Sequence, residues 1–275
     1  MLIDVIIPVF NRSHLVERAI DSVLAQSFKH FNLFIVDDGS TDDFASVLKK
    51  YSHDSRVIFL RQENKGVSAA RNYGISHSNS EWIALLDSDD EWLPQKLEIQ
   101  MAFSRKNPEY QFIHSDEIWM RNGVRVNPKK KFDKSNHEIF KRSLETCLIS
   151  PSTVLMKREL CIKHGCFDES LVICEDYDLW LKILATLEVG YISEFLIKKY
   201  GGHDDQLSTK YYAMDFWRLK SLLKLIKSEN LSLDQRQWIK DQIELKSNIL
   251  RAGYIKHQNS QGLNELAEIF KGYQT

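Results

Sequence analysis

The chain has 275 residues and a formal net charge of −1 at pH 7, and its composition is 43% hydrophobic and 27% charged. This length is sufficient for one large α/β domain, or for one domain with an appendage. The near-neutral charge argues against a nucleic-acid-binding protein, which usually carries a clear basic excess. The sequence has no stretch of about 18 apolar residues, so it predicts no membrane-spanning helix.

The N-terminal segment and the cysteines both favour a cytoplasmic protein. Residues 1–8 lack a basic n-region and contain Asp4 within their apolar stretch, so they do not resemble a signal peptide. Four cysteines lie within one segment: Cys147, Cys161, Cys166 and Cys174. They form neither a CxxC pair nor a His-linked zinc spacing, so we interpret them as reduced thiols. Any association with the inner face of a membrane would then be peripheral.

Apolar runs alternate with helical patterns along the first half of the chain. Strands are predicted over residues 4–9, 31–36, 56–61 and 81–86, and helices over 14–26, 41–51 and 67–77. Ser13 is the predicted N-cap of the first helix. Alternation of strands and helices through short connections indicates a parallel sheet with right-handed crossovers.

The second half continues the α/β pattern less regularly. The predicted elements are a helix from after Pro94 to about Lys106, strands over 111–116 and 153–156, helices over 158–164 and 177–186, and closing strands over 189–200. Residues 121–124 are typical of a hairpin turn. The basic run 129–131 is interpreted as a solvated loop, with contact to an anionic ligand as the alternative.

From residue 211 onward the pattern is helical only. A second helix in this region is predicted to begin at a capping box formed by Ser232 and Gln235, and a third covers 263–270. We divide the chain into a domain over 1–210 and a helical extension over 211–275. The extension is predicted to pack on its own domain. A homodimer through these helices and a peripheral membrane contact are the alternatives.

Carboxylates gather where the predicted strands end. Asp37 and Asp38 follow the second strand, and residues 87–90 follow the fourth. Because strand ends of a parallel sheet converge on one rim, these groups should meet where α/β proteins bind ligands. Closely packed carboxylates favour a hard divalent cation, Mn2+ or Mg2+. A polar turn that caps the next helix would explain residues 87–90 alone.

These clusters resemble the motifs of the family 2 glycosyltransferases, which are inverting enzymes of the GT-A fold. The matching segments are 5–11 (VIIPVFN), 36–42 (VDDGSTD), 64–74 (NKGVSAARNYG), 86–90 (LDSDD), 165–169 (GCFDE) and 175–180 (EDYDLW). A lone DxD motif is weak evidence, whereas this ordered set is strong. The resemblance covers residues 1 to about 208. It implies a Rossmann-like, mostly parallel central sheet flanked by helices, and it does not include the C-terminal helices.

The resemblance implies a donor site for a nucleotide-diphosphate sugar. Its nucleotide-sugar-binding residues would be Pro8, Phe10, Asn11, Asp37, Asp38, Lys65, Gly66, Arg71, Asp87 and Ser88. Asp38 would accept a hydrogen bond from the imide N–H of uracil or thymine. Asp87 would contact the ribose or a metal-bound water. Asp89 and His203 would hold Mn2+ or Mg2+, which neutralises the departing diphosphate.

The resemblance also implies an acceptor side. Asp176 would be the general base, next to Glu175, and a single displacement would invert the anomeric configuration. Asp178 and Trp180 would lie on the acceptor side, although packing explains Trp180 better. Simpler alternatives exist for several of these residues. Glu175 and Asp176 could only cap a helix, Arg71 could be a surface arginine, and His203 could be an ordinary loop histidine.

We therefore expect an inverting, metal-dependent glycosyltransferase of the hexosyl or N-acetylhexosaminyl type. It would transfer sugar from a UDP-sugar to a glycan or lipid-linked acceptor in cell-surface polysaccharide synthesis. One alternative is a non-catalytic nucleotide-sugar-binding or scaffolding protein, which would be expected to lack Asp89 or Asp176. Another is a haloacid-dehalogenase-type phosphatase, whose Asp-x-Asp-x-Thr motif would require threonine where Glu91 stands.

Overall fold

A computed structural model describes residues 2–202 and 213–274, and its strands form one nine-stranded sheet. The strands are β1 Ile3–Val9, β2 Phe31–Asp37, β3 Val57–Arg61, β4 Trp82–Leu85, β5 Glu91–Trp92, β6 Phe112–Arg121, β7 Val124–Val126, β8 Leu155–Lys157 and β9 Gly190–Gly201. The helices are α1 Ser13–Leu24, α2 Phe44–Tyr51, α3 Val67–His77, α4 Lys96–Lys106, α5 Ile139–Ser143, α6 Arg158–Lys163, α7 Glu175–Leu184, α8 Met214–Leu225, α9 Leu233–Lys256 and α10 Ser260–Gln274. Short 3-10 helices cover Lys130–Phe132 and Pro151–Thr153.

The sheet has the order β3-β2-β1-β4-β8-β6-β9-β5, and β7 pairs with β6. Strands β1 to β4 are mutually parallel. Strand β8 runs antiparallel to its neighbours β4 and β6, whereas β6 and β9 are parallel to each other over a long register. The predicted mostly parallel sheet with flanking helices is confirmed, and the short strands β5, β7 and β8 are the ones that run antiparallel to their neighbours.

Helices cover both faces of the sheet, which is why β1 is buried along its whole length. Its alternate side chains enter two separate hydrophobic clusters, one on each face. Gly74 allows α3 to lie close against the sheet, because a Cβ atom there would stand 2.7 Å from Ile6 Cγ2. This close approach brings the side chains on the first turns of α3 to the rim where β1, β2 and β4 end.

The first two helices begin differently from the prediction. Ser13 is not the N-cap of α1, because Arg12 occupies the cap position without a side-chain cap bond. The Ser13 N–H instead donates to Asp42 Oδ2 at 2.8 Å. The second helix begins at Phe44 rather than at residue 41, because Asp43 caps it by accepting from the Ser46 N–H. The polar segment before α2 is therefore used to fasten α1, which short-range patterns do not reveal.

Strand β6 extends five residues beyond the predicted strand, to Arg121. The predicted hairpin turn follows it, and Asn122 and Gly123 both have positive φ angles of 49° and 76°. Two consecutive left-handed residues of this type are typical of a type I′ turn between antiparallel strands. The hairpin thus joins β7 to the same strand that pairs with β9 over nine positions.

The C-terminal helices share a core with the preceding domain. Leu219 and Leu222 of α8 belong to the same buried cluster as Tyr177 of α7. The predicted capping box of Ser232 and Gln235 is present at the start of α9. The predicted boundary at residue 210 lies outside the described residues. A contact of these helices with a second copy or with a membrane stays a prediction. No helix in the described part of the chain has both the length and the apolar character needed to span a membrane.

Candidate active site

The candidate site lies at the carboxyl ends of β1, β2 and β4. Asn11 connects the first two of these ends: its N–H donates to Ser40 Oγ at 2.9 Å, and its Oδ1 accepts from the Thr41 N–H at 2.7 Å. Asn11 has φ 51°, a left-handed conformation that asparagine tolerates better than most residues. Two other predicted nucleotide-sugar-binding residues lie near Asn11 in the sequence. Pro8 is buried within β1, whereas Phe10 is 45% exposed at the rim.

Asp38 organises the loop that leads into α3. Its Oδ1 accepts from Gln62 Nε2 at 2.7 Å and from the Lys65 N–H at 3.0 Å, and its Oδ2 accepts from the Gly66 N–H at 2.8 Å. Gly66 has φ 90° at the N-cap position of α3, which favours glycine. The predicted residues Asp38, Lys65 and Gly66 are thus in direct contact through the backbone of the last two, and the Lys65 side chain is exposed.

Asp37 fixes the turn after β2. Its Oδ1 accepts from the Ser40 N–H at 2.8 Å, and Arg61 Nη1 lies 3.3 Å from its Oδ2. Gly39 within this turn has φ 77°, and a Cβ atom there would lie 2.8 Å from the backbone nitrogen of Asn64. The VDDGS segment therefore needs glycine for both conformation and space.

Arg71 joins two carboxylates that lie far apart in the sequence. Its Nη2 is 2.7 Å from Asp87 Oδ1, and its Nη1 is 2.5 Å from Glu175 Oε1. The guanidinium also lies 5.1 Å from the ring centroid of Phe167. Burial opposes the charged form, but the two carboxylates outweigh it and raise the pKa of Arg71. Arg71 is 3% exposed, so the alternative of a surface arginine is wrong.

Glu175 and Asp176 form the first turn of α7, and Cys174 occupies the cap position. Acidic side chains are favoured at this end of a helix. Burial raises the pKa of Glu175, and the charge of Asp176 adds to this effect, although Arg71 opposes it. Asp176 is half-buried, and its Oδ2 accepts from Cys147 Sγ at 3.4 Å. Neither acid is the N-cap, so capping does not account for the pair.

Asp89 faces two arginines of the first helical segment. Arg12 Nη1 lies 2.8 Å from its Oδ2, and Arg18 donates to its carbonyl oxygen. Burial raises the pKa of Asp89, the Arg12 charge opposes this, and the neighbouring Asp87 adds to it. Ser88 between the two acids is buried.

Asp90 has a structural role that the turn interpretation misses. Its Oδ2 accepts from Ser152 Oγ at 2.6 Å, and its Oδ1 accepts from the Tyr200 N–H at 3.0 Å. Burial raises its pKa well above the usual range, and the charges of Asp89 and Asp87 add to this effect. Asp90 thereby ties the loop after β4 to the end of β9.

The donor set of Asp87 and Asp89 suits a hard divalent cation. Carboxylate oxygens are preferred ligands of Mg2+ and Mn2+. Within residues 2–202 and 213–274, no three His, Cys, Asp or Glu side chains form a metal-binding group. His203, the second predicted ligand, lies outside the described residues. Mg2+ is commonly held by one or two carboxylates together with substrate phosphates, so two protein carboxylates fit a cation that binds with a diphosphate.

A half-buried lysine lies beside these acids, and sequence reasoning missed it. Lys199 Nζ donates to Ser150 Oγ at 2.7 Å, and Ser150 Oγ donates to Glu117 Oε1 at 3.1 Å. Burial lowers the pKa of Lys199, but the charges of Glu117, Asp90, Asp87 and Asp176 outweigh it and raise the pKa. The sequence analysis gave Lys199 no role, because it lies in a strand of mixed polarity directly after a second lysine, Lys198.

The two predicted acceptor-side residues face the protein interior. Asp178 is buried and lies 2.6 Å from Lys182 Nζ one turn along α7. Trp180 is 2% exposed, and its Nε1 donates to the Ile149 carbonyl at 3.0 Å. Its ring packs edge-on to Phe112 with centroids 4.9 Å apart. Trp180 therefore offers no open ring face to a sugar, and its packing role accounts for its position.

The sequence of this chain is similar to known proteins over most of its length. Residues 4–165 match the family described as glycosyl transferase family 2. The chain belongs to this family. An uncharacterized glycosyltransferase of Rickettsia felis is 36% identical over 202 residues, which cover 71% of this chain and 32% of the relative. The chain thus spans about a third of the length of that family member.

A second similar glycosyltransferase matches over most of its own length. The UDP-Glc:alpha-D-GlcNAc-diphosphoundecaprenol beta-1,3-glucosyltransferase WfgD of Escherichia coli is 32% identical over 213 residues, covering 77% of this chain and 81% of WfgD. Among solved structures, S. aureus TarS 1-349 in complex with UDP-GlcNAc has a TM-score of 0.80 and 18% identity, covering 99% of this chain and 80% of TarS 1-349. The likeness to TarS shows a shared fold, and the predicted family and GT-A fold are confirmed.

Proposed function

We propose that this protein is an inverting, metal-dependent glycosyltransferase that moves a sugar from a UDP-sugar to a hydroxyl of a glycan or lipid-linked acceptor. The observation that carries the proposal is the contact of Arg71 with both Asp87 and Glu175. It joins the acids after β4 to the start of α7, where Asp176 lies. A nucleotide-diphosphate binding at the carboxyl ends of β1, β2 and β4 would then meet both acid clusters.

The proposed donor is supported by the names of similar proteins and by the chemistry of the rim. WfgD is named for a UDP-glucose donor, and TarS was solved with UDP-GlcNAc. We propose that the uracil ring of the donor donates its imide N–H to Asp38 Oδ2. A carboxylate oxygen can accept this bond, and Oδ2 accepts one hydrogen bond from the protein, from the Gly66 N–H. The neighbouring exposed side chains of Phe10 and Lys65 would flank the nucleotide.

The proposed metal would be held by Asp89 together with phosphate oxygens of the donor, with His203 as the further predicted ligand. When bound, Mn2+ or Mg2+ neutralises charge on the departing diphosphate. Arg12 lies against Asp89 Oδ2, so we assign the metal to Oδ1. The Asp87 side chain is 27% exposed, and Arg71 binds its Oδ1. We propose that the other carboxylate oxygen, Oδ2, contacts the ribose or a metal-bound water.

Asp176 is the proposed general base. It would take the proton of the acceptor hydroxyl as that oxygen bonds to the anomeric carbon and the bond to the diphosphate breaks. Attack from the face opposite the leaving group inverts the configuration. The Cys147 thiol orients the Asp176 carboxylate, and the contact of Glu175 with Arg71 holds the first turn of α7 in place. Asp178 and Trp180 would support this turn from inside.

A panel of UDP-sugars with and without Mn2+ tests the proposal. A donor that binds the folded protein raises its melting temperature by mass action, and we expect a larger rise with Mn2+. Proton NMR of the product with the best donor should then show the inverted anomer and stoichiometric UDP. Retention of configuration would contradict the mechanism. Donor binding without any release of UDP would favour the non-catalytic alternative.

We also propose a cytoplasmic location with peripheral association at a membrane. The support is the diphosphoundecaprenol-linked acceptor in the name of WfgD. Fractionation of cells that express the full chain, with a salt wash of the membranes, tests this. Release by salt is expected, whereas retention through a carbonate wash would contradict peripheral binding.

A further inference from the structure

A cavity of about 220 Å³ lies beside the β6–β7 hairpin and the 3-10 helix Lys130–Phe132. Its lining combines aromatic rings with cations, namely Trp119, Phe132 and Phe195 with Arg125, Lys129 and Lys130. Lys129 and Lys130 belong to the basic run whose role the sequence left open. The cavity is smaller than the ~300–1,000 Å³ pockets that enclose drug-sized ligands, so it suits one small ring rather than a whole nucleotide.

Three carboxylates also line the cavity, namely Asp116, Glu117 and Asp133. Lys134 Nζ lies 2.9 Å from Glu117 Oε1, and both side chains are buried. Asp133 accepts from the N–H and the hydroxyl of Ser135 at 3.0 and 2.9 Å, and Arg142 lies 3.8 Å from its Oδ2. Asp116 accepts from the Tyr191 hydroxyl at 3.3 Å and from the Glu117 N–H at 3.0 Å. The four cationic side chains of the lining outnumber these three carboxylates.

Three of the four cations of the lining are exposed. Within the described ranges, no carboxylate forms an ion pair with the exposed side chains of Arg125, Lys129 or Lys130. The Arg125 guanidinium instead lies 5.2 Å from the ring centroid of Phe195. The cavity thus has positive charge available at its mouth, which favours an anionic group on the ligand.

The aromatic rings define the other half of the cavity. The Trp119 and Phe132 ring centroids are 5.2 Å apart, and Phe195 is 44% exposed. Large rings that stay partly open to solvent provide flat apolar faces, which suit the C–H face of a pyranose ring. An anion beside a pyranose ring is the chemistry of a sugar phosphate.

A buried network connects this cavity to the proposed base. Glu117 forms part of the cavity wall, and its Oε1 accepts from Trp119 Nε1 at 2.7 Å and from Ser150 Oγ at 3.1 Å. Ser150 in turn accepts from Lys199, whose charge interacts with Asp176. One network of side chains therefore connects the wall of the cavity to the proposed general base, Asp176.

We propose that this cavity binds a phosphorylated sugar unit of the acceptor. The inference rests on the proposed function, since it identifies the occupant as the acceptor. Trp119 and Phe132 would contact the ring, while Arg125, Lys129 and Lys130 would bind the phosphate. The phosphate could belong to a free sugar phosphate or to a lipid-linked sugar diphosphate, and both present the same chemistry to these side chains.

Calorimetric titration of the full-length protein with a panel of hexose 1-phosphates tests the proposal. Free hexoses and inorganic phosphate serve as reference ligands. The K129A/K130A variant should bind the preferred hexose 1-phosphate about tenfold more weakly. The control variant R121A/K163A also removes two exposed cations but leaves the lining intact, and it should bind like wild type. The same hexose on a short prenyl diphosphate distinguishes the two sources of phosphate.

Release of UDP from the donor with water as acceptor provides an independent readout of the donor site. K129A/K130A should leave this hydrolysis unchanged while raising KM for the phosphorylated acceptor. Equal binding of hexose 1-phosphate and inorganic phosphate, or tighter binding of a short RNA, would overturn the proposal. Hexose phosphate binding in a protein that shows no UDP-dependent transfer would overturn its assignment to the acceptor. Intact sugar transfer by K129A/K130A with a normal KM for the acceptor would overturn the role of this cavity and leave the proposed glycosyltransferase function standing.

Discussion

Arg71 Nη1 lies 2.5 Å from Glu175 Oε1, although 104 positions separate the two residues in the chain. The contact connects α3 to the first turn of α7, and both side chains are buried. Breaking a buried pair by removing one partner leaves an uncompensated charge in a low-dielectric interior, which is strongly destabilising. The contact therefore fixes the position of the proposed base relative to the acids after β4.

Replacement of Arg71 by methionine should lower the free energy of unfolding by about 3–5 kcal/mol, because Asp87 and Glu175 both lose their cation. Urea denaturation monitored by fluorescence measures the change. Arg56→Met is the matched control: Arg56 also pairs with a carboxylate, Asp54, but it is 29% exposed, and surface pairs contribute about 0–1 kcal/mol. Equal losses in the two variants would show that the buried contact has no special structural role.

Replacement of Asp176 by asparagine should abolish sugar transfer and leave UDP binding nearly intact. General bases contribute about 10²–10⁴-fold to rate, so kcat should fall at least 100-fold. A coupled UDP-release assay and calorimetry with UDP measure the two properties. Asp241→Asn, an exposed acid on α9, is the control and should retain wild-type kinetics. Lost UDP affinity in Asp176→Asn would instead assign this residue to the donor site.

The meeting of Arg71, Asp87 and Glu175 was partly foreseeable from the sequence. Apolar runs identified the strands, and parallel strands end at a common rim, so the acids after β2 and β4 were expected to converge. The position of Arg71 depends on how closely α3 approaches β1. That approach depends on the space that Gly74 leaves beside Ile6, a packing property that a one-dimensional pattern does not contain.

The network behind the site could not be foreseen for a different reason. Lys198 and Lys199 are adjacent in β9 and look alike in the sequence, yet one pairs with Glu91 and the other with buried Ser150. Successive strand residues point to opposite faces, so the register of β9 decides which lysine enters the protein. This register includes irregular shifts near Asp116, which no alternation pattern predicts.

Replacement of Asp89 by alanine should remove the metal dependence of UDP binding. Without Mn2+ the variant should match wild type, whereas with Mn2+ its affinity should be at least about tenfold weaker, a difference of about 1.4 kcal/mol. Titration of UDP in the presence and absence of Mn2+ measures both values. Asp54→Ala, which removes a carboxylate paired with Arg56, should keep the wild-type response. Identical affinities for wild type with and without Mn2+ would refute the metal role.

Replacement of Lys199 by methionine should reduce kcat/KM by about tenfold or more, because four nearby carboxylates lose the half-buried cation that interacts with them. Lys199→Arg should recover part of the activity. Lys198→Met removes the adjacent lysine, which pairs with Glu91 on the other face at 2.7 Å, and should stay within twofold of wild type. Thermal unfolding of all three variants separates loss of activity from loss of fold. A folded Lys199→Met protein with normal kinetics would refute this role.

The Glu117–Lys134 pair predicts a specific dependence of stability on pH. Burial alone would raise the pKa of Glu117, but the charges of Lys134 and Lys199 and hydrogen bonds from Lys134 and Ser150 outweigh it and lower the pKa to about 2. A carboxyl group with a depressed pKa stabilises the folded state fully above its unfolded value of 4.5 and loses this contribution as the pH falls toward 2.

Glu117→Gln should therefore be less stable than wild type by on the order of 3 kcal/mol at pH 7, and the difference should shrink as the pH falls from 4.5 toward 2. Urea denaturation at a series of pH values measures this difference directly. Glu188→Gln, at an exposed site after α7, should show a small difference at every pH. A difference for Glu117→Gln that stays constant down to pH 3 would contradict the depressed pKa of Glu117, because a group with the same pKa in the folded and unfolded states gives no pH-dependent stability.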